Sequence, residues 1–389
     1  MDKRMAIIMT MLMTVFLGFG IIIPVLPEMI LGSGQDRYHL YIFLTVYSAA
    51  SFLISPMWGA LSDKIGRKPV LLTGIIGYSV SFLIFGLSGG HLGLMYLSRI
   101  LGGVFSGATT ACAVAYVADI TSEENRTRAM GLVGMSIGMG FIFGPAIGGL
   151  LSLAGTEIPF FAAAGLALLN FLFALSALPE SKTKEERASA AAVPGSSRWA
   201  AFQGPIRYLF VLLFVMTFAL AGIESTLQYF EIERFQATPS DIGIMFFVSG
   251  IIGALVQGGF IRKYARQGSE PKLIRAGLLI QAAGMILLLF SSNIWNASLY
   301  LAVFAVGNSL LRPCVTSMIT QTTKAGQGVT GGLSSSMDSL ARMAGPMVAG
   351  LLFELESALP FLAGAVISLG AILLLGRFVQ TKTFVAISK

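Results

Sequence analysis

Of the 19 acidic residues in this 389-residue chain, two stand deep inside apolar runs: Glu224 within 206–230 and Asp338 within 328–353. An ionisable group at membrane depth is costly unless it is paired or faces a water-filled cavity, so its presence points to function. Burial opposes the charged form of a carboxylate, and a neighbouring arginine supports it. An acid that alternates between two such settings takes up a proton on one side of a membrane and releases it on the other. Glu224 and Asp338 are therefore the candidates for proton coupling. For Glu224 the plainer alternative is a structural carboxylate bonded to Ser225, Thr226 or a neighbouring helix. Asp338 precedes Arg342 by four residues, on the same helical face. That spacing fits either a static ion pair or one that opens when Asp338 is protonated or substrate arrives. Glu28, beside Pro27, reads as a residue at the mouth of the protein.

Three arginines also fall within apolar runs: Arg99, Arg312 and Arg342. Arg99 is the strongest candidate for a functional cation. Arg312, beside Pro313, suits equally a role in bonding the carbonyls that a proline leaves free. Cys112 and Cys314 lack partners at disulfide or metal-ligand spacing and read as small apolar core residues. His39 and His91 read as interfacial polar residues. No metal and no cofactor is expected. The sequence carries no HExxH, GxSxG or P-loop pattern, and no polar stretch is long enough for a ligand-binding domain. Those features argue against an enzyme, a receptor or an ATP-driven pump.

The elements that must position these residues are membrane spans. The chain is 55% hydrophobic and 12% charged, with a mean hydropathy of +0.80, whereas a soluble domain carries about 25% charge. Twelve runs meet the requirement of about 20 apolar residues: 5–29, 39–61, 69–88, 92–118, 128–152, 158–178, 206–230, 240–262, 272–291, 295–320, 328–353 and 357–378. The first is too long for a secretory signal and lacks a small-residue cleavage pattern, so it reads as a span. Lys and Arg concentrate in the tails and the even-numbered loops, with Arg37 and Arg234 on the other side. This bias predicts cytoplasmic termini and accounts for the net charge of +7 without a nucleic-acid partner. Residues 179–205, rich in Lys, Glu, Ala and Ser, read as a cytoplasmic linker between bundles at 1–178 and 206–389.

Residues 134–149 read GMSIGMGFIFGPAIGG. Gly134 and Gly138 are four apart, as are Gly140, Gly144 and Gly148, so each set shares a helical face where another helix can approach closely. Pro145 and Gly149 complete the pattern, and Gly345-Pro346 echoes Gly144-Pro145 in the second half. Two parallel repeats of this kind suit alternating access. Between the second and third runs lies Gly59-Ala-Leu-Ser-Asp63-Lys64-Ile-Gly66-Arg67-Lys68. Gly59 would allow close helix approach, Gly66 a tight turn, and Asp63 would meet a helix N-terminus or an arginine, with Arg126 and Arg128 on offer. A substrate site between the halves would draw on Phe16, Tyr47, Met139, Phe141, Phe143, Phe218 and Tyr229, because aromatic faces attract organic cations and methionine adapts to irregular ligands.

The 59–68 stretch resembles the signature loop of the major facilitator superfamily. Leu97-Ser98-Arg99-Ile-Leu-Gly102-Gly103 is similar to that superfamily's arginine motif. Gly140-Phe-Ile-Phe-Gly144-Pro145-Ala-Ile-Gly148-Gly149 resembles the motif of its drug/proton antiporters. Over nearly the whole chain the resemblance is to the bacterial multidrug exporters of the NorA/Bmr type. Gly18-Phe-Gly20-Ile-Ile-Ile-Pro24-Val-Leu-Pro27, Leu311-Arg312-Pro313 and Gln327-Gly328-Val-Thr-Gly331-Gly332-Leu333 carry it. The resemblance implies an all-α membrane fold of twelve helices in two pseudo-symmetric bundles. It implies proton-coupled efflux of amphipathic, often cationic drugs, by a monomer in the cytoplasmic membrane of a bacterium, with drug, protons and the bilayer as partners. Phe16 and Phe143 gain weight as lining residues, and Glu224 matches the essential glutamate of the seventh span. One position departs: those exporters tend to carry an aspartate three residues before the Arg-Pro of the tenth span, where this chain has Ser309, preceded by Asn308. Asp338 would then supply the second acid, and Ser309 joins the lining residues. Spans one, four and five also resemble the tetracycline exporters, so the alternative is a dedicated exporter of tetracycline-like drugs, sugars, amino acids or lipids.

Overall fold

The computed structural model describes residues 3–121, 123–181, 202–261, 268–323 and 327–387, and the regular elements among them are helices. They are α1 (Lys3–Ile22), α2 (Leu26–Gly32), α3 (Tyr38–Ile65), α4 (Arg67–Gly86), α5 (Leu92–Ile120), α6 (Glu123–Leu151), α7 (Ile158–Ala177), α8 (Arg207–Phe235), α9 (Pro239–Leu255), α10 (Glu270–Leu288), α11 (Ile294–Thr322), α12 (Gln327–Leu355) and α13 (Leu359–Ile387). All but the short α2 approach or exceed the length a bilayer requires. Among the described residues, eleven helical stretches are both long and apolar enough to cross a membrane. The twelfth long helix, α12, is spanning in length but too polar, because Ser334, Ser335, Ser336, Asp338, Ser339 and Arg342 fall close together within it.

Local chemistry sets the boundaries. The span expected at 5–29 is two helices, because Pro24 has no N–H to continue the ladder. The Ile23 and Val25 amides turn to Gly20 and Ile22 at 3.1 and 3.2 Å, and α2 restarts with Pro27 in its first turn. Gly66 separates α3 from α4 at φ +112°, a conformation glycine adopts without a Cβ clash. A reciprocal cap starts α11: the Asn293 side chain accepts from the Trp295 and Asn296 amides at 3.0 and 3.1 Å, and Asn296 accepts from the Asn293 amide at 3.1 Å. Pro56, Pro145, Pro313 and Pro346 lie inside helices that continue through them, as neighbours in a membrane bundle permit. The span expected at 240–262 ends as a π-helical segment, Val256–Ile261.

The chain forms two compact units. One comprises Met1–Pro194 with Pro239–Ile244, the other Gly195–Thr238 with Met245–Lys389. In the first, α1 packs on α6 and α7, α4 on α5 and α7, and α3 on α5. In the second, α8 packs on α12 and α13, and α10 on α11 and α13. The 3–5 pairing has its counterpart where α11 meets Gly253 and the π-helical segment. The six-helix pattern is thus repeated within the chain. Of the expected linker, 182–201 lies outside the described residues.

Each unit has its own apolar core. Ile8, Met11, Leu12, Leu71, Ile75, Ala113 and Tyr116 are buried together in the first. Leu209, Phe210, Leu278, Leu311, Val315, Leu375 and Phe378 are buried in the second. Cys112 and Cys314 are unpaired members of these two cores.

Candidate functional site

In the second unit, α8, α11 and α12 bring two carboxylates and two guanidiniums together. Arg342 on α12 donates through Nη1 to Glu224 Oε2 on α8 at 3.3 Å. Arg312 on α11 donates to Asp338 on α12 at 2.5 Å, and the Thr217 hydroxyl on α8 donates to the other oxygen of Asp338 at 2.7 Å. Where spacing suggested an intrahelical Asp338–Arg342 pair, the structure shows two pairs between helices. The physical reason is reach. Each arginine finds a charge-assisted partner on the neighbouring helix, and crossing between helices satisfies both acids at once. Of the two roles considered for Arg312, the structure shows its guanidinium holding an acid. The group is electrically balanced and only partly enclosed. Glu224 and Asp338 are 18% and 20% exposed, Arg342 is 26% exposed and Arg312 53%.

Tight backbone approach makes these pairs geometrically available. A Cβ at Gly345 would lie 2.8 Å from the Phe218 carbonyl oxygen, and one at Gly222 would lie 3.2 Å from Ala349. The first unit uses the same device. A Cβ at Gly140 would meet the Leu17 amide at 2.7 Å, and one at Gly144 the Leu17 carbonyl at 2.7 Å; at Gly148 it would strike the Ile21 carbonyl. Pro145 approaches Gly20 across the same contact, and Gly149 faces the backbone of Pro239 and Gly243, which group with the first unit. Two other glycines behave differently from expectation. A Cβ at Gly134 or Gly138 meets nothing within 4 Å, because their face of α6 is turned away from α1.

The first unit supplies aromatic surface. Phe16 and Phe141 lie 5.3 Å apart between ring centroids, Phe19 and Phe141 5.8 Å, and Phe19 and Tyr47 5.3 Å. These spacings are those of interacting rings. Phe19 was missed in the sequence, although it stands one helical turn beyond Phe16. Met139 and Phe143, four apart on α6, are exposed. In the second unit, Phe218 stacks near Phe214 at 5.8 Å, and Tyr229 is buried. Phe218, Gly222, Ile223, Val348 and Leu352 line an apolar cavity of about 30 Å³, far below the several hundred Å³ that hold a drug-sized ligand. Ser309 is buried with its hydroxyl 2.8 Å from where a Gly253 Cβ would stand, so it serves a helix contact.

Arg99 is 2% exposed, and its guanidinium lies 4.6 Å from the Phe85 ring centroid and 5.9 Å from that of Phe82. Its hydrogen bond to Ser98 is long, at 3.5 Å, and its Nε has no partner among the described residues. Cation–π attraction is worth up to about 2 kcal/mol when desolvated, so the rings offset only part of the burial cost.

Arg67 organises the cytoplasmic turn. It donates to Asp63 at 2.5 Å, to Asp119 at 3.1 Å, and to Ser62. Asp63 thus has a partner in its own segment; the side chains of Arg126 and Arg128, the other partners expected, lie outside the described residues. Glu180 accepts from the Arg67 and Lys68 amides at 2.8 and 3.2 Å, capping α4, and Lys68 Nζ donates to the Leu175 carbonyl at 3.0 Å. Gly59 does not make the expected close contact; a Cβ there meets nothing within 4 Å. Among the described residues no group of His, Cys, Asp and Glu has the arrangement of a metal site.

The repeated helix packing and eleven membrane-length apolar helices among the described residues define a multi-pass membrane protein. The family model described as Major Facilitator Superfamily matches residues 8–269, and the chain belongs to that superfamily. It is similar to the quinolone resistance protein NorA of Staphylococcus aureus, with 29% identity covering 96% of each chain. It is 32% identical to multidrug resistance protein 2 of Bacillus subtilis, over 94% of this chain and 92% of that one. Among solved structures, the human organic anion transporter MFSD10 superposes with a TM-score of 0.74 at 25% identity, covering 96% of this chain and 98% of that chain.

Proposed function

We propose that the protein exports amphipathic, often cationic drugs across a bacterial cytoplasmic membrane in exchange for protons, by alternating access. Both termini face the cytoplasm. The observation that carries this reading is the balanced set Glu224–Arg342 and Asp338–Arg312 across α8, α11 and α12. A proton and an organic cation compete for one carboxylate. When Glu224 is ionised, it attracts either Arg342 or a cationic drug. When it is protonated, the drug loses its counter-charge and Arg342 loses its partner, so the α8–α12 contact loosens. Asp338 and Arg312 form the second pair, in place of the missing acid at Ser309. The aromatic line Phe16, Phe141, Phe19 and Tyr47 offers ring faces suited to flat cations. Relatives whose names record quinolone and multidrug resistance support the substrate class.

The test is Glu224→Gln, which keeps the shape and removes the titration. Gradient-driven ethidium efflux from cells should fall to the background of the empty vector at unchanged expression. Efflux at the wild-type rate would end this assignment.

A further inference from the structure

We propose that Glu231 is a second proton-binding site on α8, the outer loading site from which Glu224 is supplied. This inference rests on the proton-coupled reading above. Glu231 stands seven residues beyond Glu224. Seven residues bring the chain back to nearly the same face of a helix, about 10.5 Å further along its axis. On the topology proposed above, that direction leads outward. The Glu231 side chain is fully buried, at 0% exposure, and neither carboxylate oxygen has a hydrogen-bond partner among the described residues. An unpaired, buried carboxylate ion is among the most expensive groups a fold can hold. The charge-neutral state is the protonated acid, which makes Glu231 a proton-binding candidate.

Its surroundings are those of a relay rather than a strut. The Ser291 hydroxyl, from the segment between α10 and α11, and the Arg234 guanidinium, less than one turn further along α8, are the polar and charged groups acting on it. Arg234 is engaged elsewhere: it donates to the Leu289 carbonyl at 3.0 Å and lies 5.0 Å from the Phe230 ring centroid. Ser291 Oγ is itself buried without a hydrogen-bond partner. Between the two acids stands Gln228, 1% exposed. Its Nε2 donates to the Glu224 carbonyl at 3.2 Å, which leaves Oε1 buried and unpartnered. Glu224, Gln228 and Glu231 thus form a polar line along one face of an otherwise apolar helix.

The transfer balances simply. The Glu231 carboxylic acid gives its proton to the first of a short chain of waters, the last of these protonates the Glu224 carboxylate, and the Glu231 carboxylate reloads from the outer medium. Gln228, midway along the line, orients that chain through its free carbonyl oxygen and does not itself titrate.

Glu231→Gln is the informative variant, because glutamine reproduces the neutral acid in shape and hydrogen bonding but releases no proton. The purified full chain in nanodiscs is followed by infrared difference spectroscopy across a pH titration, beside Glu224→Gln. Wild type should show two protonated-carboxylic-acid components, and each variant should lose a different one. Ethidium efflux by E231Q should fall several-fold, with its dependence on external pH flattened, and E231D should restore part of the dependence. If the E231Q spectrum and pH profile match wild type while E224Q abolishes coupling, Glu231 is no proton site and the Glu224 reading stands. If E224Q also transports normally, the coupled reading itself fails. A purely structural carboxyl would survive in E231Q and collapse only in E231A, which would overturn the proposal.

Discussion

The two ion pairs in the second unit differ in exposure, and that difference orders their contributions. Arg312 is 53% exposed, and a pair so accessible adds about 0–1 kcal/mol. Removing Arg342, 26% exposed, strands the 18% exposed Glu224 at membrane depth, whereas Asp338 keeps the Thr217 hydroxyl when Arg312 is removed. Arg312→Met should leave thermal unfolding of the detergent-solubilised protein nearly unchanged, whereas Arg342→Met should lower the unfolding temperature clearly. Equal losses would contradict the assignment of partners. The same reasoning applies at the cytoplasmic turn, where Asp63 is 45% exposed and Asp119 10%. Asp119→Asn should destabilise more than Asp63→Asn in the same assay. Which residues carry charge into the membrane was legible in the sequence, because hydropathy isolates Glu224 and Asp338 at once. Their partners were not. Spacing along one helix pointed Asp338 to Arg342, while the true pairing depends on which helices meet. Glu231 escaped notice because Glu233 and Arg234 beside it make the end of α8 look like an exposed polar terminus.

Helix contacts divide the glycines of α6 into two kinds. Gly140, Gly144 and Gly148 let the α1 backbone approach, whereas Gly134 and Gly138 face open space. Gly148→Ala puts a Cβ into the Ile21 carbonyl and forces α1 and α6 apart, at the cost of about 1–3 kcal/mol typical of overpacking. Gly134→Ala adds only helix propensity, a gain of up to about 1 kcal/mol. Unfolding temperatures should therefore move in opposite directions for these two substitutions on one helix. A fall for both would mean that α6 packs differently. The repeated small-residue pattern was legible as a close-approach face, yet four-residue spacing alone does not say which of two offset glycine rows is used. Most helix ends were legible to within about five residues. The exceptions were α13, which runs on to Ile387 past the expected end at 378, and the break at Pro24, because an apolar count reads straight through a proline.

At the scale of the molecule, repetition explains why one bundle can be read from the other. The α1–α6 and α8–α12 contacts each rest on a Gly-Pro helix, and both cores bury a single cysteine at comparable positions in their fifth and eleventh helices. The repeats diverge in charge: Arg99 is buried against aromatic rings in the first unit, and paired acids and arginines occupy the second. Because Cys112 and Cys314 are buried, they give a quiet background for accessibility labelling. A cysteine replacing Lys64 should react with an impermeant maleimide only in inside-out vesicles, and one replacing Gly34 only in right-side-out vesicles. The reverse pattern would invert the topology. The central claim, exchange of a proton for a drug, is tested most directly by purified protein in liposomes with an imposed pH gradient and ethidium as the reporter. The account predicts ethidium movement against the direction of proton flow, lost when an ionophore collapses the gradient and lost in Glu224→Gln. Transport of equal rate with and without the gradient would contradict it.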